Sequence, residues 1–173
     1  QARTAALLVG VGQYESSSIS RLDGPVNDVA AMRDALQKHL DVASGDLIQL
    51  VDKQATYAGI LAGLQTLQDK VKSGELKQGD RVVLYFSGHG TSPENKKIIL
   101  PLPDGTGAFF PYDADFTINK MIVGRTHLRP LFKALDQAGV QVMLVADSCY
   151  SGAMFRSGGK AQKQSARFVP SAM

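Results

Sequence analysis

Arg81-Val-Val-Leu-Tyr-Phe-Ser-Gly-His-Gly90 decides how the rest of the chain is read. After Arg81, five apolar residues follow without a break, the mark of a strand buried on both faces. The run leads directly into Ser87-Gly88-His89-Gly90, which reads as a turn of small residues carrying one chemically capable side chain. One other stretch repeats that plan. Val140–Ala146 is a second buried strand, and it leads into Asp147-Ser-Cys-Tyr-Ser-Gly152, which holds the only cysteine, Cys149.

Working outward from these two strands, Thr4–Val11 is another apolar run ending in glycine and reads as a strand. From Pro25 to about Leu40 the pattern is helical, with Val29, Met32, Leu36 and Leu40 at spacings of three and four. Asn27 or Asp28 is the expected cap, with Pro25 at the entry. Leu47–Val51 is a short strand. Thr56 opens a helix with Ile60, Leu64, Leu67 and Val71 on one face, and Ser73-Gly74 closes it. Residues 91–125 are irregular, with four prolines and short extra strands expected at Ile98–Leu100 and Phe109–Phe110. Thr126 to about Gln137 reads as a helix with Leu128, Leu131, Phe132 and Leu135 inward. Strands alternating with helices imply right-handed crossovers and an α/β fold, a mainly parallel sheet with helices on both faces. After Gly152 the chain is rich in Ser, Gly, Lys and Gln and reads as a flexible linker.

Composition narrows the function classes. With 173 residues, 44% of them apolar, the chain can bury one sizeable core. No apolar run reaches the roughly 18 to 20 residues needed to span a bilayer. The net charge of +3 is not spread over the chain: residues 1–152 carry 15 basic and 16 acidic side chains. The surplus lies in Arg156, Lys160, Lys163 and Arg167, so a nucleic-acid-binding face is not expected. A single cysteine excludes an internal disulfide scaffold. No signal peptide is visible, and Gln1 in place of Met leaves both a cytoplasmic location and export after signal removal open.

Ligands of parallel sheets bind at the carboxyl ends of the strands, where His89 and Cys149 both lie. Neighbouring strands run about 5 Å apart, so residues 60 positions apart in sequence can meet there. A thiol is partly ionised near neutral pH, and an imidazole can complete its activation and then protonate a leaving amine. The backbone N–H groups of Gly90 and Cys149 are candidates for an oxyanion hole. No third group that would orient the imidazole is visible in the sequence.

Phe86-Ser-Gly-His-Gly90 and Ala146-Asp-Ser-Cys-Tyr-Ser-Gly152 resemble the His and Cys motifs of caspase-like cysteine peptidases, and specifically of the bacterial metacaspases, or orthocaspases. Ala6-Leu-Leu-Val-Gly-Val-Gly-Gln-Tyr14, Leu22-Asp-Gly-Pro-Val-Asn-Asp28 and Phe110-Pro-Tyr-Asp-Ala-Asp115 extend the resemblance, in the family's order, over residues 5 to about 155. It implies a three-layer caspase-haemoglobinase-like fold. Residues 1–155 would be a large-subunit-like catalytic domain, and 156–173 a basic linker or tail without the small-subunit region. A sheet ending at the Cys149 strand would leave an edge that needs cover.

The resemblance also implies roles. Cys149 would be the nucleophile and His89 the general acid/base of a peptidase working through a thioester. Asp28, Ser87 and Asp147 match an acidic pocket for Arg or Lys before the scissile bond, and paired carboxylates suit a guanidinium physically. Pro25 stands where metacaspases often have Cys. Arg21 lies one residue from a position where true caspases use arginine to bind aspartate, the basis of a minor reading of acidic specificity. No cofactor is implied. Asp104 could match one calcium ligand, but Asn119-Lys120 and Arg156 replace expected acids, so calcium-independent activity is expected. Such linkers are often cut by the enzyme itself, which makes Arg156, Lys160, Lys163 and Arg167 candidate self-cleavage sites. The implied partners are peptides with Arg or Lys before the cut, and the protein's own small-subunit segment.

Blander readings stand beside these. Cys149 could be an inert core thiol. The alternative for the whole chain is an inactive caspase-like scaffold that binds partner proteins. His39 reads as a helix-end residue, His127 as a solvent-facing helix residue, and Lys96-Lys97 as a solvated loop. Gly10-Val-Gly12 lacks the third glycine and downstream acid of a dinucleotide site. Neither Ser148 nor Ser151 sits in a Gly-x-Ser-x-Gly elbow.

Overall fold

The computed structural model describes residues 2–91, 107–115, 120–149 and 163–166. Its strands are β1 (Thr4–Gly10), β2 (Leu47–Val51), β3 (Arg81–Thr91), β4 (Ala108–Phe109), β5 (Ile122–Val123), β6 (Gln141–Cys149) and β7 (Lys163–Ala166). The helices are α1 (Pro25–His39), α2 (Tyr57–Lys72) and α3 (Arg129–Gln137). Four strands are parallel in the order β2-β1-β3-β6. Antiparallel pairing adds β7 to the outer edge of β6, and β4 and then β5 to the last residues of β3. This is an α/β fold with a mixed, mainly parallel sheet.

Strand alternation divides the core into two layers. Ala5, Leu7 and Val9 face one way with Val82, Leu84 and Phe86, and are covered by Ile60, Leu64 and Leu67 of α2 and Leu131, Phe132 and Leu135 of α3. Ala6 and Leu8 face the other way with Val83 and Tyr85, under Val29 and Leu36 of α1. Continuous apolar runs in β1 and β3 are the consequence of cover on both faces.

The apolar periodicity located the long elements well, and several local expectations need correction. Neither Asn27 nor Asp28 caps α1. Gly24 holds the cap position without a side-chain bond, Pro25 begins the helix, and Asp28 lies in its first turn. Thr56 does cap α2, its hydroxyl accepting from the Gly59 amide at 3.0 Å. The third helix starts at Arg129 rather than Thr126, after a wide π-type turn over Gly124–Leu128. Lys163–Ala166, read as linker, forms β7, because the edge of β6 offers unpaired backbone groups to any extended segment. The expected strand at Ile98–Leu100 lies outside the described residues.

Gly10 allows close approach of two elements. A Cβ there would lie 2.6 Å from Val29 Cγ2 and 2.8 Å from the Pro25 carbonyl oxygen. The first turn of α1 therefore sits directly on the end of β1, which carries Asp28 over the sheet.

Candidate active site

Within the described residues, both segments expected as turns continue as strands. β3 runs through Ser87, Gly88, His89 and Gly90 to Thr91, and β6 runs to Cys149. Their ladder stays in register to the top, pairing Ser87 with Asp147, Gly88 with Ser148 and His89 with Cys149. Residues 60 positions apart are thus direct neighbours across two parallel strands. The strands extend because partners remain available above the point where β1 ends: β6 on one side of β3, and β4 on Gly90 and Thr91.

His89 is fully buried and held from several directions. Its backbone N–H donates to the Tyr14 hydroxyl at 2.8 Å, and its carbonyl accepts from the Phe110 amide at 3.0 Å. Nε2 lies 2.7 Å from the Ser20 carbonyl oxygen. A carbonyl only accepts, so Nε2 carries hydrogen and Nδ1 of the neutral ring is left bare. Nδ1 is buried and has no hydrogen-bond partner among the described residues. The Tyr14 ring lies 5.3 Å from the imidazole. Burial lowers the His89 pKa below its ordinary value, and the Ser20 carbonyl, which favours the charged ring, opposes that shift.

Gly88 permits this packing. Its φ is +153°, and a Cβ would meet the Tyr14 hydroxyl and the Val11 carbonyl at 3.0 Å and Phe109 at 3.2 Å. Glycine beside a histidine can admit a substrate backbone. At Gly88 the space is taken by the protein itself.

The three residues of the expected acidic pocket converge. The Ser87 hydroxyl donates to Asp28 Oδ2 at 3.0 Å, joining β3 to the first turn of α1, and Asp147 stands opposite Ser87 in the ladder. Ser87 is buried, while Asp28 and Asp147 are half-buried. Gly90 and Cys149, whose amides were expected to form the oxyanion hole, both belong to paired strands rather than to free turns.

Sequence reading missed Tyr14 and Ser20 as supports of the imidazole. Tyr14 lies in the motif after β1, but its service to a residue 75 positions away is a tertiary fact. Ser20 contributes a carbonyl, which any residue could supply, so no side-chain signal exists. Arg21 lines a cavity of about 220 Å³ with Gln13, Tyr14, Ser16, Ser17 and Ile19, beside the loop that holds His89. His127, expected to face solvent, is instead half-buried and bonded through both ring nitrogens. His39 is exposed at the end of α1, as expected. Among the described residues, no three His, Cys, Asp or Glu side chains converge as a metal site, and no helix is long and apolar enough to cross a membrane. Asp104, Asn119, Arg156, Lys160 and Arg167 lie outside the described residues, and Lys163 is described as part of β7.

A four-stranded parallel centre, helices on both faces, and a histidine and a cysteine paired at adjacent strand ends define a caspase-like domain. Residues 4–157 match the family described as metacaspase, peptidase C14 domain, and the chain belongs to that family. Metacaspase-9 of Arabidopsis thaliana is 28% identical over 153 residues, covering 86% of this chain and 44% of that protein. Metacaspase-1 of Debaryomyces hansenii is 30% identical over 150 residues, covering 85% and 32%. The chain therefore spans less than half the length of these relatives. A crystal structure of a Geobacter sulfurreducens protein shares the fold, with a TM-score of 0.59 and 22% identity over 87% of this chain and 52% of that one.

Proposed function

We propose that this chain is the catalytic region of a cysteine endopeptidase that cleaves after Arg or Lys. One observation carries the reading: His89 stands opposite Cys149, its Nε2 committed to Ser20 and its Nδ1 bare. Nδ1 takes the thiol proton as the sulfur attacks the substrate carbonyl. The imidazolium formed keeps its Nε2–H bond to the Ser20 carbonyl and passes the Nδ1 proton to the leaving amine as the C–N bond breaks. Water then attacks the thioester, giving a proton to Nδ1; the C–S bond breaks, the acid product leaves, and Nδ1 returns the proton to the sulfur.

Asp28 and Asp147, on either side of Ser87, supply the negative charge that a guanidinium or ammonium needs. The amides of Gly90 and Cys149 stabilise the oxyanion once the top of the ladder gives them up to the substrate. The basic tail is the nearest substrate, cut at Arg156, Lys160, Lys163 or Arg167. Cleavage after Lys163 requires β7 to leave β6 first, because a paired strand has its backbone engaged. Phe110-Pro-Tyr-Asp-Ala-Asp115 supports placement in the bacterial branch, and Asn119-Lys120 with Arg156 supports activity without calcium.

The test is turnover of fluorogenic peptides ending in Arg, Lys or Asp, with the thiol reduced and Cys149→Ala as control. Release from Arg and Lys peptides alone, lost in the control, is expected. Chelator should leave the rate unchanged, and Cys149→Ala should abolish any fragment pattern in the tail. A second reading, an inactive scaffold that binds partner proteins, draws support from the engagement of Gly90 and Cys149 in paired strands. Absence of turnover with every peptide would select it.

A further inference from the structure

The proposed reaction leaves His127 unused, and the contacts of this half-buried ring fix its protonation state. The Val123 amide donates to Nδ1 at 2.8 Å, and the Tyr57 hydroxyl lies 3.0 Å from Nε2, with the two rings edge to face at 86°. A nitrogen that accepts an N–H bears no proton, so the ring is neutral and Nε2–H donates to the Tyr57 oxygen. An imidazolium would turn an N–H toward the Val123 N–H, and that bond could not survive.

The bond at stake leads to the candidate site in a few steps. Val123 pairs with Ala108 and Ile122 with Phe109, and the Gly124 amide donates to the Gly107 carbonyl at 3.0 Å. Ala108 and Phe109 pair in turn with Thr91 and Gly90, and the Phe110 amide holds the His89 carbonyl. On the far side of the ring, the Tyr57 amide donates to Asp113 Oδ1 at 2.7 Å, and the Tyr112 amide to the Ala55 carbonyl at 2.8 Å. The imidazole thus joins the start of α2 to the β4–β5 hairpin, which is the support of Gly90.

We propose that neutral His127 is a positioning residue that locks the β4–β5 hairpin against the end of β3, and that its protonation in acid opens this lock. Of the groups on the adjoining elements, Tyr57 on α2 meets the ring with a neutral hydroxyl, Asp113 of the loop accepts from the Tyr57 amide, and Arg125 of the turn and Arg129 of α3 are the cations nearest in sequence. Burial lowers the His127 pKa, in keeping with a ring held neutral. The effect on turnover rests on the proposed peptidase reading, whereas the lock itself does not.

Amide hydrogen exchange of the whole chain, followed by NMR between pH 7.5 and 5 and corrected for intrinsic rates, tests the lock directly. Val123 protection should fall by about 3- to 10-fold, the worth of one hydrogen bond, as the His127 ring titrates, while Leu8 in β1 stays protected. In His127→Asn, whose Oδ1 can accept from the Val123 amide without titrating, Val123 protection should become independent of pH. The same variant should soften the acid-side fall of kcat/KM on Arg peptides while leaving KM near the wild-type value. Unchanged Val123 protection across the range in the wild type would overturn the proposal, as would a pH dependence that persists in His127→Asn. Flat exchange with intact peptide cleavage would sink the lock and spare the peptidase reading. Titrating exchange without cleavage would do the reverse.

Discussion

The ends of β3 and β6 are neighbours in one sheet, yet they are built differently. Ser87, His89 and Thr91 of β3 are at most 1% exposed; the Ser87 hydroxyl is bound to Asp28, and the His89 amide, Nε2 and carbonyl to Tyr14, Ser20 and Phe110. β6 is buried on one face only. Val142 and Leu144 pack under the helices, whereas on the α1 side Met143 is 41% exposed and Val145 and Asp147 are half-buried. Among the described residues, its outer edge meets only the four of β7. Among the described residues, then, the histidine half is preorganised, whereas the cysteine half has one less-buried face and a lightly covered edge. Any control over the proposed chemistry by further chain or by a partner acts most easily on β6, where the least packing must be displaced.

The largest effect expected treats both halves alike. If His89 and Cys149 act as one unit, His89→Ala and Cys149→Ala should each lower kcat on an Arg peptide by about 10³-fold or more, with no further loss in the double variant. Clearly additive losses would break the pairing of the two strand ends. Next in size is the pocket: Asp28→Ala should cost roughly 30-fold or more in kcat/KM for Arg peptides, the usual loss when one partner of a close charge pair is removed. Ser87→Ala should cost several-fold, since it removes only the hydroxyl that orients Asp28.

Stability measurements sharpen the contrast between the halves. Gly88→Ala must place a side chain at φ +153° against Tyr14, Val11 and Phe109, and should cost about 1–3 kcal/mol by urea denaturation. Met143→Thr on the exposed face of β6 should stay within about 0.5 kcal/mol. Equal losses would mean that β6 is as firmly packed as β3.

Acid should act through the histidine half as well. An unfolded imidazole takes up a proton below about pH 6.5, whereas His89 and His127 in the folded chain resist it until lower pH. The unfolded state then binds more protons, so stability falls as pH drops through this window. Each histidine contributes a slope of at most about 1.4 kcal/mol per pH unit. His89→Gln should flatten the urea midpoint profile below pH 6.5. The smallest effect belongs to β7: deleting 163–166 should cost under about 1 kcal/mol, yet raise self-association by light scattering because the β6 edge is uncovered.

Much of this architecture was legible without coordinates. The apolar runs of Thr4–Val11 and Arg81–Phe86 located β1 and β3 to within a residue at their starts, since cover on both faces demands unbroken apolar sequence. The stripe from Ile60 to Leu67 located α2 for the corresponding reason. Asp28, Ser87 and Asp147 could be named together only through a family resemblance, because no local pattern links a helix turn to two strands. The strand ends were misjudged. Small residues at 87–90 and 147–149 read as turns, and only the presence of partners on β4 and β6 makes them strands.

By itself, then, the sequence determined the alternation of strands and helices, the core stripes, and the two motifs holding His89 and Cys149. Those are properties of periodicity and residue type, which local physics writes into the chain. Tertiary structure alone decided that the Ser20 carbonyl fixes the His89 tautomer, that the Tyr14 hydroxyl takes the His89 amide, and that Val123 and Tyr57 hold His127 neutral. Each of these bonds uses a backbone group or a distant hydroxyl, and such groups carry no signal of their partner until the fold brings them within 3 Å.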